Sequence, residues 1–141
     1  MKILFFLMSI SLINKDCSPQ MEQEHISIEY TESTRGSYLQ VQLKNNVITI
    51  YRERSAAPII KEYPEAAWYN LLMELKKIKI DQLQNFKIPS ENHHVDGAKI
   101  AFLKITKNNK IHQSKNFDHN NPPKEVAVIV KEILSIVENI D

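Results

Sequence analysis

The chain has 141 residues, of which 43% are hydrophobic and 25% are charged, a composition typical of a globular protein with one domain. The 18 Lys and Arg residues nearly balance the 17 Asp and Glu residues, and the formal charge of +1 argues against nucleic-acid binding driven by a general excess of positive charge. A single cysteine excludes an internal disulfide. Only two glycines, Gly36 and Gly97, are present, and they lie too far apart for a Walker loop and are too few for a Rossmann fingerprint.

The N-terminus is typical of an export signal. Lys2 is followed by an apolar run at residues 3–13, long enough for the hydrophobic part of a signal peptide and too short to span a bilayer. Cys17 follows at the position where bacterial lipoproteins carry their acylated cysteine. Lipoprotein signals have a small residue just before that cysteine and an aliphatic residue three before it, whereas this chain has Asp16 and Asn14. Lipidation at Cys17, ordinary secretion and a buried N-terminal helix or strand therefore all remain open.

These features divide the chain into three parts. Residues 1–17 are predicted to be a signal peptide, and specifically a lipoprotein signal if Cys17 is acylated. Residues 18–24 (SPQMEQE) are polar and predict a flexible tether, and residues 25–141 predict a single α+β domain. We expect an exported protein of the cell envelope, in the periplasm or at the outer membrane, that is anchored through the lipid if Cys17 is acylated and otherwise secreted.

Alternating apolar residues predict a meander of three strands after the tether. The predicted strands are residues 25–33, 38–44 and 47–52. Residues 34–37 predict the first turn, where we expect Gly36 to adopt a positive φ. Asn45 and Asn46 form the second turn, because asparagine tolerates the left-handed conformation that a two-residue hairpin requires.

Two amphipathic helices are predicted, one after the meander and one at the C-terminus. The first begins at Pro64, where the missing N–H of proline does no harm. Its apolar face is Trp68, Leu71, Leu72, Leu75 and Ile78. The second follows Pro122 and Pro123. Its apolar face is Val126, Ile129, Val130, Ile133, Val137 and Ile140.

A second hairpin lies between the helices. Residues 98–106 are apolar on both faces and predict a central strand that is covered on both sides. Asn108 and Asn109 repeat the earlier turn, and residues 110–117 return with the weaker alternation of an edge strand. The order βββα–ββα predicts an α+β fold with a five-stranded antiparallel sheet and two helices packed on one face.

Polar loops on either side of this hairpin contain the candidate site residues. They are His93, His94, Asp96, Asp118, His119 and Asn121. A hairpin brings its two outer ends together, and imidazole and carboxylate groups are ligands for zinc. Neighbouring histidines on an extended segment point to opposite sides, so only one of His93 and His94 can face a shared site.

Three interpretations of these loops stay open. Asp96 can be a turn residue, and Asp118 and Asn121 can bond the backbone ahead of the helix, which makes the loops structural. A partner-binding loop would use His94, Asp96, Asp118, His119 and Asn121. A metal or catalytic site would use His94 (or His93), Asp96, Asp118 and His119, of which His94, Asp96 and His119 are the candidate metal ligands.

Other chemistry has weaker support. No serine lies in a Gly-x-Ser-x-Gly elbow, and Cys17 is outside the predicted domain. Arg52, Arg54 and Lys61 form a basic group that is either an anion site or part of a solvated loop. The sequence therefore predicts no catalytic residue and no cofactor.

The chain resembles small uncharacterised lipoproteins and secreted proteins of the Bacteroidetes, especially flavobacteria. The resemblance covers residues 26–138 and includes the lysine-initiated signal with its cysteine. It rests further on VDGA at residues 95–98, on FDHNNPP at residues 117–123, and on RSA at residues 54–56 followed by Pro58. It implies export and a domain type, and it implies no catalytic residue.

Two functions follow as hypotheses. The first is a non-enzymatic envelope protein that binds a protein or glycan partner or inhibits an enzyme. The second is a metal-binding protein or metal-dependent hydrolase that uses the His93/His94/Asp96 and Asp118/His119 loops. We favour the first and expect no nucleic-acid partner, with the oligomeric state left open.

Overall fold

The computed structural model describes residues 25–140, so the predicted signal, Cys17 and the tether lie outside the described residues. The strands are β1 (Ile26–Thr34), β2 (Ser37–Lys44), β3 (Val47–Tyr51), β4 (Ile59–Glu62), β5 (Ile100–Lys107), β6 (Lys110–Gln113) and β7 (Phe117–Asp118). The α-helices are α1 (Glu65–Lys76) and α2 (Ala127–Glu138), with short 3₁₀ helices at Ile80–Asn85 and Asn92–Val95. Among these residues no helix is long and apolar enough to cross a membrane. The predicted α+β class with an antiparallel sheet is confirmed.

Within the described residues the sheet has seven strands, where the sequence predicted five. Six strands lie in the order β4-β3-β2-β1-β5-β6, and β7 pairs with β5. The strand β4 is not among the five predicted strands; it lies between the third of them and the first helix, and it pairs with β3. The predicted strand 110–117 is divided in two at Ser114, whose Oγ accepts a hydrogen bond from the backbone N–H of Leu103 at 3.0 Å. The Ser114 side chain thus takes the place of a backbone carbonyl as the acceptor from Leu103. The regular backbone pairing with β5 ends after β6 and resumes at β7.

One face of the sheet packs against both helices. Tyr30 is fully buried at the centre, with Val41 of β2 and Leu103 of β5 as its neighbours across the strands. The predicted helix stripes complete this core, since Leu71 and Leu75 of α1 are buried. The buried side chains of α2 are Ile129, Val130, Ile133 and Val137. Burial of each such side chain contributes about 1.5–3 kcal/mol.

Within residues 25–140 neither α-helix packs on the other face of the sheet. The prediction that strand 98–106 is covered on both sides is wrong, because Ile100 is 39% exposed and Phe102 is only half-buried. The strand is nonetheless central, between β1 and β6. The apolar residues on its second side therefore lie on the partly solvent-exposed face of the sheet, and they do not contact a second packed layer.

The prediction of left-handed asparagines in the two Asn-Asn turns is confirmed, and the prediction of a positive φ at Gly36 is wrong. Asn45 and Asn46 have φ values of 50° and 62°. The second Asn-Asn turn is equivalent, with φ values of 48° and 66°. Gly36 was expected to have a positive φ, but neither described glycine does; the left-handed residue ahead of β5 is Asp96, with φ 58°. Helix α2 begins at Ala127 and not directly after Pro122 and Pro123.

Three connections meet at one end of the sheet, which we call the loop end. They are the turn 35–36 between β1 and β2, the loop 52–58 between β3 and β4, and residues 92–99 ahead of β5. The register places them together, since Ser33 is opposite both Tyr38 and Ile100. The two Asn-Asn turns lie at the opposite end of the sheet.

Candidate functional site

Asp118 is the centre of a buried polar cluster at the loop end. Its Oδ1 accepts hydrogen bonds from the backbone N–H of His93 at 2.8 Å and from the ring Nδ1 of His93 at 2.6 Å. Its Oδ2 accepts from Ser90 Oγ at 2.5 Å and from the backbone N–H of Asn92 at 2.9 Å. Asn121 supports the cluster from outside, since its Nδ2 donates to Ser90 Oγ at 2.9 Å. Both carboxylate oxygens are therefore fully used.

The cluster keeps Asp118 ionised. Burial by itself raises the pKa of this carboxyl, but the hydrogen bonds from Ser90, His93 and Asn92 outweigh burial and hold the pKa well below its usual range. An ionised carboxylate only accepts hydrogen bonds, so the proton between the two side chains is on Nδ1 of His93. Asp118 consequently connects β7 to residues 90–93 through hydrogen bonds that it accepts, and it is not a proton donor near neutral pH.

The two neighbouring histidines have different roles. The segment was expected to be extended, but Asn92–Val95 is a 3₁₀ turn in which His93 is buried and His94 is exposed. The two rings meet edge to face, with centroids 4.3 Å apart. Only His93 reaches Asp118, because the turn points successive side chains in different directions.

The other predicted residues are dispersed around this cluster. Asp96 is exposed, and its left-handed conformation lets Gly97 N–H donate to Asn92 O at 2.8 Å. His119 donates its backbone N–H to Lys99 O at 3.1 Å, while its buried Nδ1 has no hydrogen-bond partner among residues 25–140. No group of three His, Cys, Asp or Glu side chains within residues 25–140 is arranged to hold a metal ion.

A cleft opens beside the cluster at the loop end. It consists of two adjoining cavities of about 370 Å³ each, which share Thr34, Arg35 and Arg54. The first cavity is also lined by Ser33, His93, Asp96, Ala98 and Ile100. The second is also lined by Gly36, Ser37, Tyr38, Arg52 and Glu53. The buried cluster thus forms part of the wall of a solvent-accessible cleft through His93.

The cations of the cleft differ in how they are held. Arg54 lies over the ring of Tyr38, with Cζ 5.2 Å from the ring centroid, and this cation–π contact positions its guanidinium. Lys99 is near the cleft in sequence but lines neither cavity, and its Nζ is neutralised by Glu32 Oε1 at 2.8 Å. Arg52 donates to the carbonyl of Val137 at 3.5 Å.

The basic group suggested by the sequence is only partly assembled. Lys61 lies on β4 opposite Ile48 and does not line the cleft. Arg35 takes its place beside Arg54, and in the described part of the chain neither of these two guanidiniums has a carboxylate partner.

Sequence reasoning missed Ser90, Asn92 and Arg35. A usable signal existed for Arg35, because alternate connections of a meander lie at the same end of the sheet, and this places turn 34–37 beside loop 52–58. Ser90 and Asn92 gave no such signal, since they lie 28 and 26 residues from Asp118 and contact it only through tertiary folding.

Comparisons with protein-family models, with curated proteins and with solved structures found no match. The resemblance to small Bacteroidetes proteins therefore stays a prediction.

Proposed function

We propose that the chain is a non-enzymatic binding domain of the cell envelope that holds its ligand at the loop end. The observation that carries the proposal is the saturated Asp118 cluster next to an open cleft. All four hydrogen bonds to this carboxylate are used to fix residues 90–93. The loop that forms one wall of the cleft is thereby pre-organised, and a pre-organised wall lowers the entropy cost of binding.

The competing hypothesis of metal-dependent hydrolysis has less support. Its residues, His94, Asp96 and His119, belong to no group of three ligands within residues 25–140. The pair of His93 and Asp118 has the arrangement in which a carboxylate orients an imidazole in hydrolases. Such a pair also needs a nucleophile, and the described hydrogen bonds of the His93 ring include no hydroxyl or thiol. A binding role accounts for the same geometry with fewer assumptions.

The binding part of the proposal is tested with three forms of the full chain. The wild type, Arg54→Glu and Lys44→Glu are immobilised and exposed to envelope glycans and envelope proteins from the source cells. Lys44 is an exposed residue at the opposite end of the sheet, so its charge reversal is a matched control. We expect a saturable ligand on the wild type and on Lys44→Glu that Arg54→Glu fails to retain. Equal retention by all three, or turnover of the ligand, contradicts the proposal.

The envelope location is tested separately at the N-terminus. Cells that express the chain are fed labelled palmitate and fractionated. We propose acylation at Cys17, so the wild type is expected in the membrane fraction with label and Cys17→Ser without it. An unlabelled wild type in the medium supports secretion without an anchor, and a cytosolic chain contradicts export.

A further inference from the structure

We propose that the cleft between Arg35 and Arg54 binds a phosphate or sulfate group carried by a small hydroxylated organic molecule. This inference rests on the proposed function and names the ligand chemistry of the same site.

The two guanidiniums reach the cleft from different connections. Arg35 lies in the turn between β1 and β2, and Arg54 lies in the loop between β3 and β4. Both line both cavities. Each guanidinium presents a planar fork of N–H donors that suits an oxyanion. Two forks on separate loops can donate to different oxygens of one group.

Tetrahedral oxyanions match this arrangement better than a carboxylate does. A phosphate or sulfate ester has three terminal oxygens, and a carboxylate has two. With three acceptors, one group can accept from both guanidiniums and still meet a hydroxyl of Ser33, Thr34 or Ser37, which also line the cleft. Serine and threonine hydroxyls are common donors to such groups.

The local charge favours an anion. Lys99 is already neutralised by Glu32, whereas Arg35 and Arg54 have no carboxylate partner among the described residues. One exposed carboxylate lines each cavity, Asp96 in the first and Glu53 in the second. These carboxylates oppose an anionic ligand, so their removal strengthens binding while removal of either arginine weakens it.

The volume indicates a ligand larger than a bare ion. Each cavity is about 370 Å³, which lies within the usual range for small-molecule sites of roughly 300–1,000 Å³. The cavity walls include the hydroxyl groups of Ser33, Thr34 and Ser37. An organic part with hydroxyl groups of its own, such as a sugar ester, fits walls of this polarity.

Calorimetric titration of the full chain tests the inference. The probes are glucose 6-phosphate, glucose 6-sulfate, inorganic phosphate and glucose. We expect the two esters to bind, inorganic phosphate to bind more weakly and glucose not to bind. Loss of a charge-assisted contact in Arg35→Gln or Arg54→Gln lowers the affinity by about tenfold or more. Lys61→Gln removes the same charge from outside the cleft and is expected to bind as the wild type does.

A variant that is expected to bind more tightly completes the test. Asp96→Asn keeps a residue that tolerates the left-handed conformation, and we expect it to bind the esters more tightly than the wild type. Esters that fail to bind, or that bind equally well to Arg54→Gln and the wild type, overturn the inference. If an uncharged ligand is then found that Arg54→Glu loses, the proposed function stands without it; if no ligand depends on the loop end, both fail.

Discussion

Replacing Tyr30 by phenylalanine tests how the centre of the sheet is connected to the loop end. Tyr30 is 0% exposed, and its hydroxyl donates to Glu32 Oε2 at 2.8 Å. Glu32 Oε1 accepts from Lys99 Nζ at 2.8 Å. Burial, together with the negative charge and hydrogen bond of Glu32, raises the pKa of Tyr30 far above its ordinary value. Tyr30 therefore stays a hydrogen-bond donor across the accessible pH range.

The expected loss follows from these contacts. Tyr30→Phe removes the hydroxyl and leaves Oε2 of the buried Glu32 without its protein partner. A hydrogen bond to a charged group contributes about 1.5–3 kcal/mol, so we expect the free energy of unfolding to fall by about that amount. With an m-value of about 1.5 kcal/mol/M, the urea midpoint falls by about 1–2 M.

Tyr63→Phe is the matched control. The Tyr63 hydroxyl is also directed at a glutamate, but it lies 3.5 Å from Glu132 Oε1, and Glu132 is exposed. At this distance and exposure we expect a loss below about 0.5 kcal/mol. Urea unfolding followed by circular dichroism measures both variants. Equal losses, or a loss below about 0.5 kcal/mol for Tyr30→Phe, would show that the short buried hydrogen bond of Tyr30 stabilises the fold no more than the long exposed one of Tyr63.

Two further predictions concern pH and the turns. The pKa of Asp118 is lower in the folded chain than its unfolded value of about 3.9, so its contribution is full above about pH 4 and is lost as the pH falls toward the folded pKa. Asp118→Asn should therefore lower Tm at pH 7, with a difference from the wild type that narrows in acid; equal Tm values at pH 7 would contradict this. Asn109 has φ 66°, so Asn109→Ala should be less stable than Asn109→Gly by about 1 kcal/mol in urea unfolding, and the reverse order would exclude a left-handed turn.

Most features of the fold that depend on short stretches of sequence were predicted correctly. The alternating residues gave the meander, the 3.6-residue spacing gave both helices, and the Asn-Asn pairs gave two hairpin turns whose φ values agree. The prediction of five strands was wrong because β4 and β7 have four and two residues, and such short strands exist only through pairing with a neighbour. The prediction of a positive φ at Gly36 was wrong, since the turn between β1 and β2 contains no left-handed residue.

The sequence analysis identified several residues of the candidate site but did not predict which residues contact one another there. Asp118 was identified as a polar residue that can bond a nearby backbone, yet its partners come from Ser90, Asn92 and His93. The strands β5 and β6 lie between these residues and Asp118 in the sequence, so no short sequence motif predicts the contact. The cleft likewise depends on the register that places Arg35 beside Arg54.

We propose that the loop end is the binding surface of this domain. Chemical-shift mapping of the ¹⁵N-labelled full chain during titration with glucose 6-phosphate locates the binding surface residue by residue. We expect saturable shifts confined to residues 33–38, 52–54 and 93–98. Shifts concentrated at the Asn-Asn turns of the opposite end, or no saturable shift at the loop end, would contradict the account.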